Sequence, residues 1–333
     1  MNIHFIAIGG SAMHNLAIAL HKKGYKVTGS DDVIFEPSAS RLKSHGLLPE
    51  QMGWNTRNIT PDLDAVILGM HARVDNPELL EAQELGLKIY SYPEYVYEQS
   101  KDKLRVVIGG SHGKTTITSM ILHVLGKCGL DFDYLVGAQL AGFDTMVQIT
   151  DAPLIIIEGD EYLASPIDLR PKFHLYRANL AVISGIAWDH INVFKTFEDY
   201  VLQFRKFINT IEPAGKLIYS VSDPVLKEVV DTSDAVVDKI PYNIPNHEVV
   251  DGVTYLLPSR TELSVFGDHN LLNLNAARNI CLQIGVTEDQ INAAISSFSG
   301  AAKRLELLYK TDKANIYKDF AHSPSKLSAT IEA

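Results

Sequence analysis

Short runs of aliphatic and β-branched residues alternate along the chain with stretches whose apolar residues recur at helical spacing. Residues 3–8 (IHFIAI) read as a strand and 9–13 as a turn of glycines and small residues. Leu16, Ala17 and Leu20 then mark one face of a helix ending at Gly24, and 26–29 read as a second strand. Residues 65–68 and 88–90 predict further strands, 77–85 and 94–99 helices, and the polar run 100–103 a linker. A strand over 106–108 empties into glycines, and helical spacing resumes at 116–125. The apolar runs 154–157 and 180–184 suit parallel strands buried on both faces. Tyr200, Phe204, Phe207 and Ile211 form the stripe of a helix over 197–211, best read as core. A strand over 216–221 follows, then short Pro- and Asp-rich segments over 230–265, then a helix from Gly267 to Ile284. Residues 298–306 read as a linker, and a new strand and helix begin within 315–333. Such alternation predicts an α/β protein, with one domain over 1–100 and a second over 101–300.

Composition narrows the class. The chain has 333 residues, 46% hydrophobic and 21% charged, an ordinary soluble globular balance long enough for two or three domains. A net charge of −10 argues against nucleic acid or an anionic membrane as partner, so anionic ligands must be held by local devices. Cys128 and Cys281 lie far apart without metal-ligand spacing, which fits a reducing cytoplasm. No run approaches the ~20 apolar residues of a membrane helix, and the order of charge and apolarity at the N-terminus is not that of a signal peptide.

The chemistry starts at Gly109-Gly110-Ser111-His112-Gly113-Lys114-Thr115-Thr116, between a strand and a helix. Strand, glycine turn, Gly-Lys-Thr and helix are the parts of a phosphate-binding loop, although Ile108 replaces the first glycine of the full pattern. Backbone N–H groups and the helix N-terminus would cradle phosphate oxygens. Lys114 would reach the β/γ-phosphates, and the Thr115 hydroxyl would sit on Mg²⁺. Glu158, Asp160 and Glu161 cluster at the end of one buried strand, and Asp189-His190 follow another. In open α/β sheets ligands bind at that edge; a solvated acidic turn and a structural histidine are the plain alternatives. The Gly9-Gly10 turn followed by Ser30-Asp31 has the layout of a Rossmann unit without its full glycine fingerprint, so a nucleotide of some kind fits near 9–13. A dehydrogenase would use those residues and leave the phosphate loop idle; a small-molecule kinase would also use Lys114.

Five motifs in order carry a resemblance. They are Gly9-Gly10-Ser11-Ala12-Met13 with Gly29-Ser30-Asp31, then 110–116, 158–161, Asp189-His190, and 267–273. With Lys303-Arg304-Leu305-Glu306 and 319–324 they make the chain resemble the Mur ligases, ATP-dependent ligases that build or recycle the peptidoglycan peptide on a UDP-linked sugar. The resemblance implies a UDP-sugar-binding Rossmann-like domain over 1–100, a P-loop-type ATP-binding α/β domain over 101–300, and a third Rossmann-like domain, of which residues 301–333 would be linker and beginning. A shortened chain that binds nucleotides without ligating is the alternative it leaves open.

Within the family two branches use UDP-N-acetylmuramate. One adds L-alanine and the other adds the tripeptide L-alanyl-γ-D-glutamyl-meso-diaminopimelate. Asp160-Glu161-Tyr162, with Asp168, Arg170, Lys172 and Phe173, looks like the peptide-adding branch. By the same resemblance, catalysis would rest on Lys114, Glu158 and His190, and Mg²⁺ on Thr115, Glu158 and His190. ATP would be held by 110–116 together with His269, Asn270, Asn273, Arg304 and Asp319. The UDP-sugar would lie on Gly9, Gly10, Ser11, Ala12, Met13, Ser30 and Asp31, with His71 and Asn76.

Overall fold

The computed structural model describes residues 1–140, 142–300, 306–311, 314–319, 321, 327–328 and 330–331. Strands β1 (Asn2–Ile6), β2 (Lys26–Ser30), β3 (Ala65–Leu68) and β4 (Ile89–Ser91) make a parallel sheet in the order β2-β1-β3-β4. Helices α1 (Ser11–Lys22), α2 (Ser38–Ser44), α3 (Pro77–Glu84) and α4 (Tyr92–Ser100) alternate with these strands. Their starts are written locally. Asn76 accepts from the N–H groups of Glu78 and Leu79 ahead of Pro77, and Ser91 with Glu94 forms a capping box.

A second sheet follows. Its elements are β5 (Leu104–Gly109), α5 (Lys114–Lys127), β6 (Asp133–Leu135), β7 (Val147–Gln148) and β8 (Leu154–Glu158). After the ribbon β9 (Leu163–Ser165) and β10 (Asp168–Pro171) come β11 (Leu180–Ile183), α6 (Phe197–Asn209), β12 (Lys216–Ser220), α7 (Pro224–Asp231) and β13 (Asp238–Tyr242). The order is β13-β12-β11-β5-β8-β6-β7, parallel except for β7. The predicted double-sided burial of 154–157 is met, because β8 lies between β5 and β6 with every residue buried.

The α6 stripe is core as expected. Tyr200, Phe204 and Phe207 are fully buried, and Phe173 stacks on Phe207 at 4.6 Å between ring centroids. Each such side chain contributes about 1.5–3 kcal/mol over its exposed state. The antiparallel sheet β14 (His247–Val250), β15 (Val253–Leu256) and β16 (Thr261–Leu263) accounts for the short segments before α8 (Asp268–Ile284) and α9 (Glu288–Ile295).

Four features differ from the sequence reading. Helix α1 begins at Ser11, so Ser11, Ala12 and Met13 form its first turn instead of a separate loop. Helix α7 follows the capping sequence Asp223-Pro224, and α9 follows the Thr287/Gln290 capping box; both signals were present and short. The segment expected to be linker ends in β17 (Glu306–Lys310), which pairs antiparallel with β18 (Asn315–Lys318). No helix among the described residues is long and apolar enough to cross a membrane.

Candidate active site

The parallel register explains why distant motifs meet. Glu158 lies beside Ile108, and Ile183 lies beside Gly109, so the C-terminal ends of β8, β5 and β11 are neighbours. Every segment that leaves those strands therefore enters one space. The turn after β5 needs its glycines. Gly110 has φ +121, and a Cβ there would meet the Ser184 hydroxyl oxygen at 2.2 Å. Gly113 has φ +75, and its Cβ would lie 2.1 Å from the Asn273 side-chain oxygen. Only glycine lets the backbone adopt these angles this close to its neighbours. Below the loop, the Ser111 hydroxyl is 2.9 Å from the Tyr200 hydroxyl and accepts from the Ala187 N–H at 2.9 Å, which pins the turn to the core.

Lys114 points back along the loop. Its Nζ donates to the Gly110 carbonyl at 2.7 Å and to both Glu161 carboxylate oxygens at 3.0 and 2.8 Å. Burial works against its charge, yet Glu161, Asp160 and Glu158 hold the ammonium above the usual lysine range. The Gly110 N–H also donates to Glu161 at 3.2 Å. Beside this pair, the Thr115 hydroxyl donates to Glu158 at 2.8 Å, and the Gly137 N–H donates to its other oxygen at 2.9 Å. Burial pushes the Glu158 carboxyl upward against those donors and Lys114.

Asp160, Glu161 and His190 bring one ligand atom each within 4.8 Å of one another. Lys172 donates to Asp160 at 2.6 Å, and together with Lys114 it overrides burial and holds that carboxyl below the ordinary range. His190 takes φ +53, a left-handed backbone that a non-glycine residue adopts only when its surroundings impose it. Tyr162 lies 5.5 Å from the His190 ring and 5.8 Å from the Lys172 ammonium. Asp160 and Glu161 were expected at the ligand-binding edge, but neither was given a role of its own. Three carboxylates in four residues were visible, but which of them faced Lys114 was not.

A cavity of about 280 Å³ joins residues 111–116 and Glu158 to His269, Asn270, Asn273 and Asp319. The sequence motifs expected to hold a nucleotide's phosphates and its base thus line one space. Asn270 is buried, with its amide donating to the Phe266 carbonyl at 3.0 Å. Burial lowers His269, opposed by Asp319 and Asp268. Arg304 lies outside the described residues.

At the first sheet the glycine turn closes on Asp31, whose Oδ2 accepts from the Gly9 N–H at 2.7 Å. A Cβ on Gly9 would lie 2.9 Å from that same oxygen. Burial pushes the Asp31 carboxyl up to about 6, against the Gly9 N–H and with the help of Asp32. Ser11 and His71 are exposed beside this turn, whereas Met13 is buried. Two expected substrate residues are engaged within the fold. Ser30 donates to the buried Glu78 carboxylate, and Asn76 is the α3 cap.

Comparison with known proteins agrees with this geometry. A model of the Mur ligase family, catalytic domain, matches residues 2–103, and one of the Mur ligase middle domain matches residues 108–281. The chain belongs to the Mur ligase family.

Members of this family are ATP-dependent ligases that form amide bonds. This Mur ligase is 31% identical to a UDP-N-acetylmuramate–L-alanine ligase of Desulforamulus reducens, over 99% of this chain and 73% of that one. It is 28% identical to a UDP-N-acetylmuramate–L-alanyl-gamma-D-glutamyl-meso-2,6-diaminoheptandioate ligase of Haemophilus influenzae, over 100% of this chain and 76% of that one. The crystal structure of the corresponding L-alanyl-gamma-D-glutamyl-meso-diaminopimelate ligase from Neisseria meningitides superposes with a TM-score of 0.77 at 25% identity. It covers 89% of this chain and 98% of that one.

ATP and Mg²⁺ are the family's companions, and the residues present fit them. Gly110 and Gly113 leave a cradle that a Cβ would fill. The Thr115 hydroxyl and the buried Glu158 are hard oxygen donors of the kind Mg²⁺ takes.

Proposed function

We propose that this Mur ligase joins the carboxylate of UDP-N-acetylmuramate to the α-amine of L-alanyl-γ-D-glutamyl-meso-diaminopimelate, at the expense of ATP, in the cytoplasm. The observation that carries the reading is Lys114, which lines one cavity with Asn270 and Asn273 and is bonded to Glu161 beside Asp160 and His190. A carboxylate oxygen of the sugar attacks the γ-phosphorus and ADP leaves, giving an acyl phosphate. The amine nitrogen then adds to the acyl carbon, and the tetrahedral adduct expels phosphate and loses a proton.

Lys114 neutralises the oxygens of the transferred phosphoryl group, and Glu161 fixes where its ammonium can stand. Backbone N–H groups of the glycine turn and the N-terminus of α5 orient the phosphates. Thr115 and Glu158 would hold Mg²⁺, with His190 beside Asp160 and Glu161 as a second place for it. When bound there, the ion supplies charge neutralisation for phosphoryl transfer. Gly9, Gly10, Ser11 and Asp31, with His71, border the place for the UDP-sugar.

Support for the tripeptide comes from Tyr162, the residue that resembles the peptide-adding branch, because it packs on His190 and Lys172. The L-alanine ligases at 31% identity favour a second reading, with L-alanine as acceptor. Phosphate release with ATP, Mg²⁺ and UDP-N-acetylmuramate, with each amine offered separately, tests both. Release with the tripeptide alone is the expected outcome. Release with L-alanine alone would transfer the assignment to the second reading, and silence with both amines would remove the ligase assignment.

A further inference from the structure

Helix α1 carries two polar residues that face inward. Asn15 is fully buried and His14 is 1% exposed, so each of their polar atoms must find a partner inside the protein. The Asn15 amide nitrogen donates to the Ser11 carbonyl at 2.8 Å and meets His14 Nε2 at 3.0 Å. An amide NH₂ can only donate, so Nε2 is the acceptor and the His14 proton sits on Nδ1. That Nδ1 lies 2.9 Å from the Gly10 carbonyl and 3.0 Å from the Ser38 hydroxyl. The orientation of Asn15 is thereby fixed, with its oxygen aimed away from its own helix.

The oxygen accepts from the Met146 N–H at 2.9 Å, in the segment that enters β7 of the other sheet. The Met146 carbonyl accepts from the Val136 N–H at 2.9 Å, and the next residue, Gly137, donates to Glu158. Glu158 in turn holds the Thr115 hydroxyl. A Cβ at Gly137 would stand 2.8 Å from the Glu158 carboxylate, so glycine lets this segment run close against that side chain. Arg41 reinforces the crossing, donating to Gln139 at 2.7 Å.

We propose that Asn15 is a positioning residue that couples the Gly9–Met13 turn to Glu158, so that filling one nucleotide site favours the other. The proposal rests on the assignment of that turn to the UDP-sugar. The physical link is contiguous: Gly10, His14, Asn15, Met146, Val136, Gly137, Glu158 and Thr115 are joined by hydrogen bonds or by adjacent peptide units. A ligand that orders the turn holds the start of α1, and through Asn15 it holds the backbone that aims Glu158. Thermodynamic linkage makes the effect reciprocal.

Calorimetry of ATP with Mg²⁺, with and without saturating UDP-N-acetylmuramate, tests the link in the full chain. The wild type is expected to bind ATP about tenfold tighter when the sugar nucleotide is present. Asn15→Ala should bring that ratio close to one while each nucleotide alone binds within about threefold of wild type. Met146→Pro removes the N–H from the opposite side, and it should act alike if Asn15→Ala fails to fold. Asn15→Asp, which keeps the acceptor oxygen, should restore part of the ratio. An undiminished ratio in either folded variant, or no coupling in the wild type, overturns the proposal. Failure of the wild type to bind UDP-N-acetylmuramate at all would instead overturn the assignment on which it rests.

Discussion

Lys114 and Glu161 form a buried pair, with the ammonium 3.0 and 2.8 Å from the two carboxylate oxygens and the acid fully enclosed. Such a pair holds a phosphate-binding lysine in place, and the His190 imidazole stands 3.9 Å from the same carboxylate. Lys114→Ala is expected to lower ATP-dependent phosphate release by about 10³-fold. UDP-N-acetylmuramate should still bind, since its proposed place lies on the other sheet. Calorimetry and a phosphate assay on the same preparation read the two effects separately.

The same change also leaves the buried Glu161 carboxylate without its lysine. Removing one partner of a buried pair costs about 3–5 kcal/mol, so Lys114→Ala should unfold at markedly lower denaturant than wild type. Adding Glu161→Gln should recover most of that stability and none of the activity. Equal midpoints for Lys114→Ala and wild type would show that water reaches Glu161.

Gly113→Ala should abolish ATP binding. The new methyl would meet the Asn273 oxygen at 2.1 Å, and φ +75 is unfavourable for alanine. Asn273→Ala placed beside it removes the clash and leaves the backbone strain. The double variant should therefore regain only part of the affinity in an ATP titration.

Asp31 gives a pH signature. Burial raises its carboxyl to about 6, from about 4 in an unfolded chain. A raised acid favours folding while both states are protonated, below about pH 4. That contribution is lost as pH rises through about 6, because the folded state must then hold a desolvated charge. Asp31→Asn should flatten this decline and be more stable than wild type at pH 7–8, since its side-chain oxygen can still accept from Gly9. Denaturant midpoints from pH 4 to 8 check the sign.

Tyr162 packs on His190 and Lys172 at the edge of the acidic group. Tyr162→Ser is expected to raise the KM for the tripeptide about tenfold, the size of one lost aromatic contact of ~1.4 kcal/mol, with the KM for ATP unchanged. Steady-state kinetics with each substrate varied in turn reads this out.

What the sequence determined by itself was everything governed by local period and local chemistry. The buried runs at 106–108, 154–157 and 180–184 became adjacent parallel strands. The Gly-Lys-Thr turn opened α5, and the aromatic stripe of α6 became core, because these features need only neighbours a few residues away. Ordered motifs were also enough to indicate the Mur ligase family.

Tertiary structure decided which polar side chain faced which. Ser30 and Asn76 were expected to hold the UDP-sugar, yet Glu78 and the α3 cap engage their side chains. Glu161, not separable in sequence from Asp160 and Glu158, proved to be the partner of Lys114 because the register of β5 with β8 sets where each acid emerges. Nothing in the local sequence marks Asn15, whose bond to Met146 spans 131 positions. Periodicity carries no information about such pairings. They arise when two sheets dock, and each buried donor must then find an acceptor from the other side.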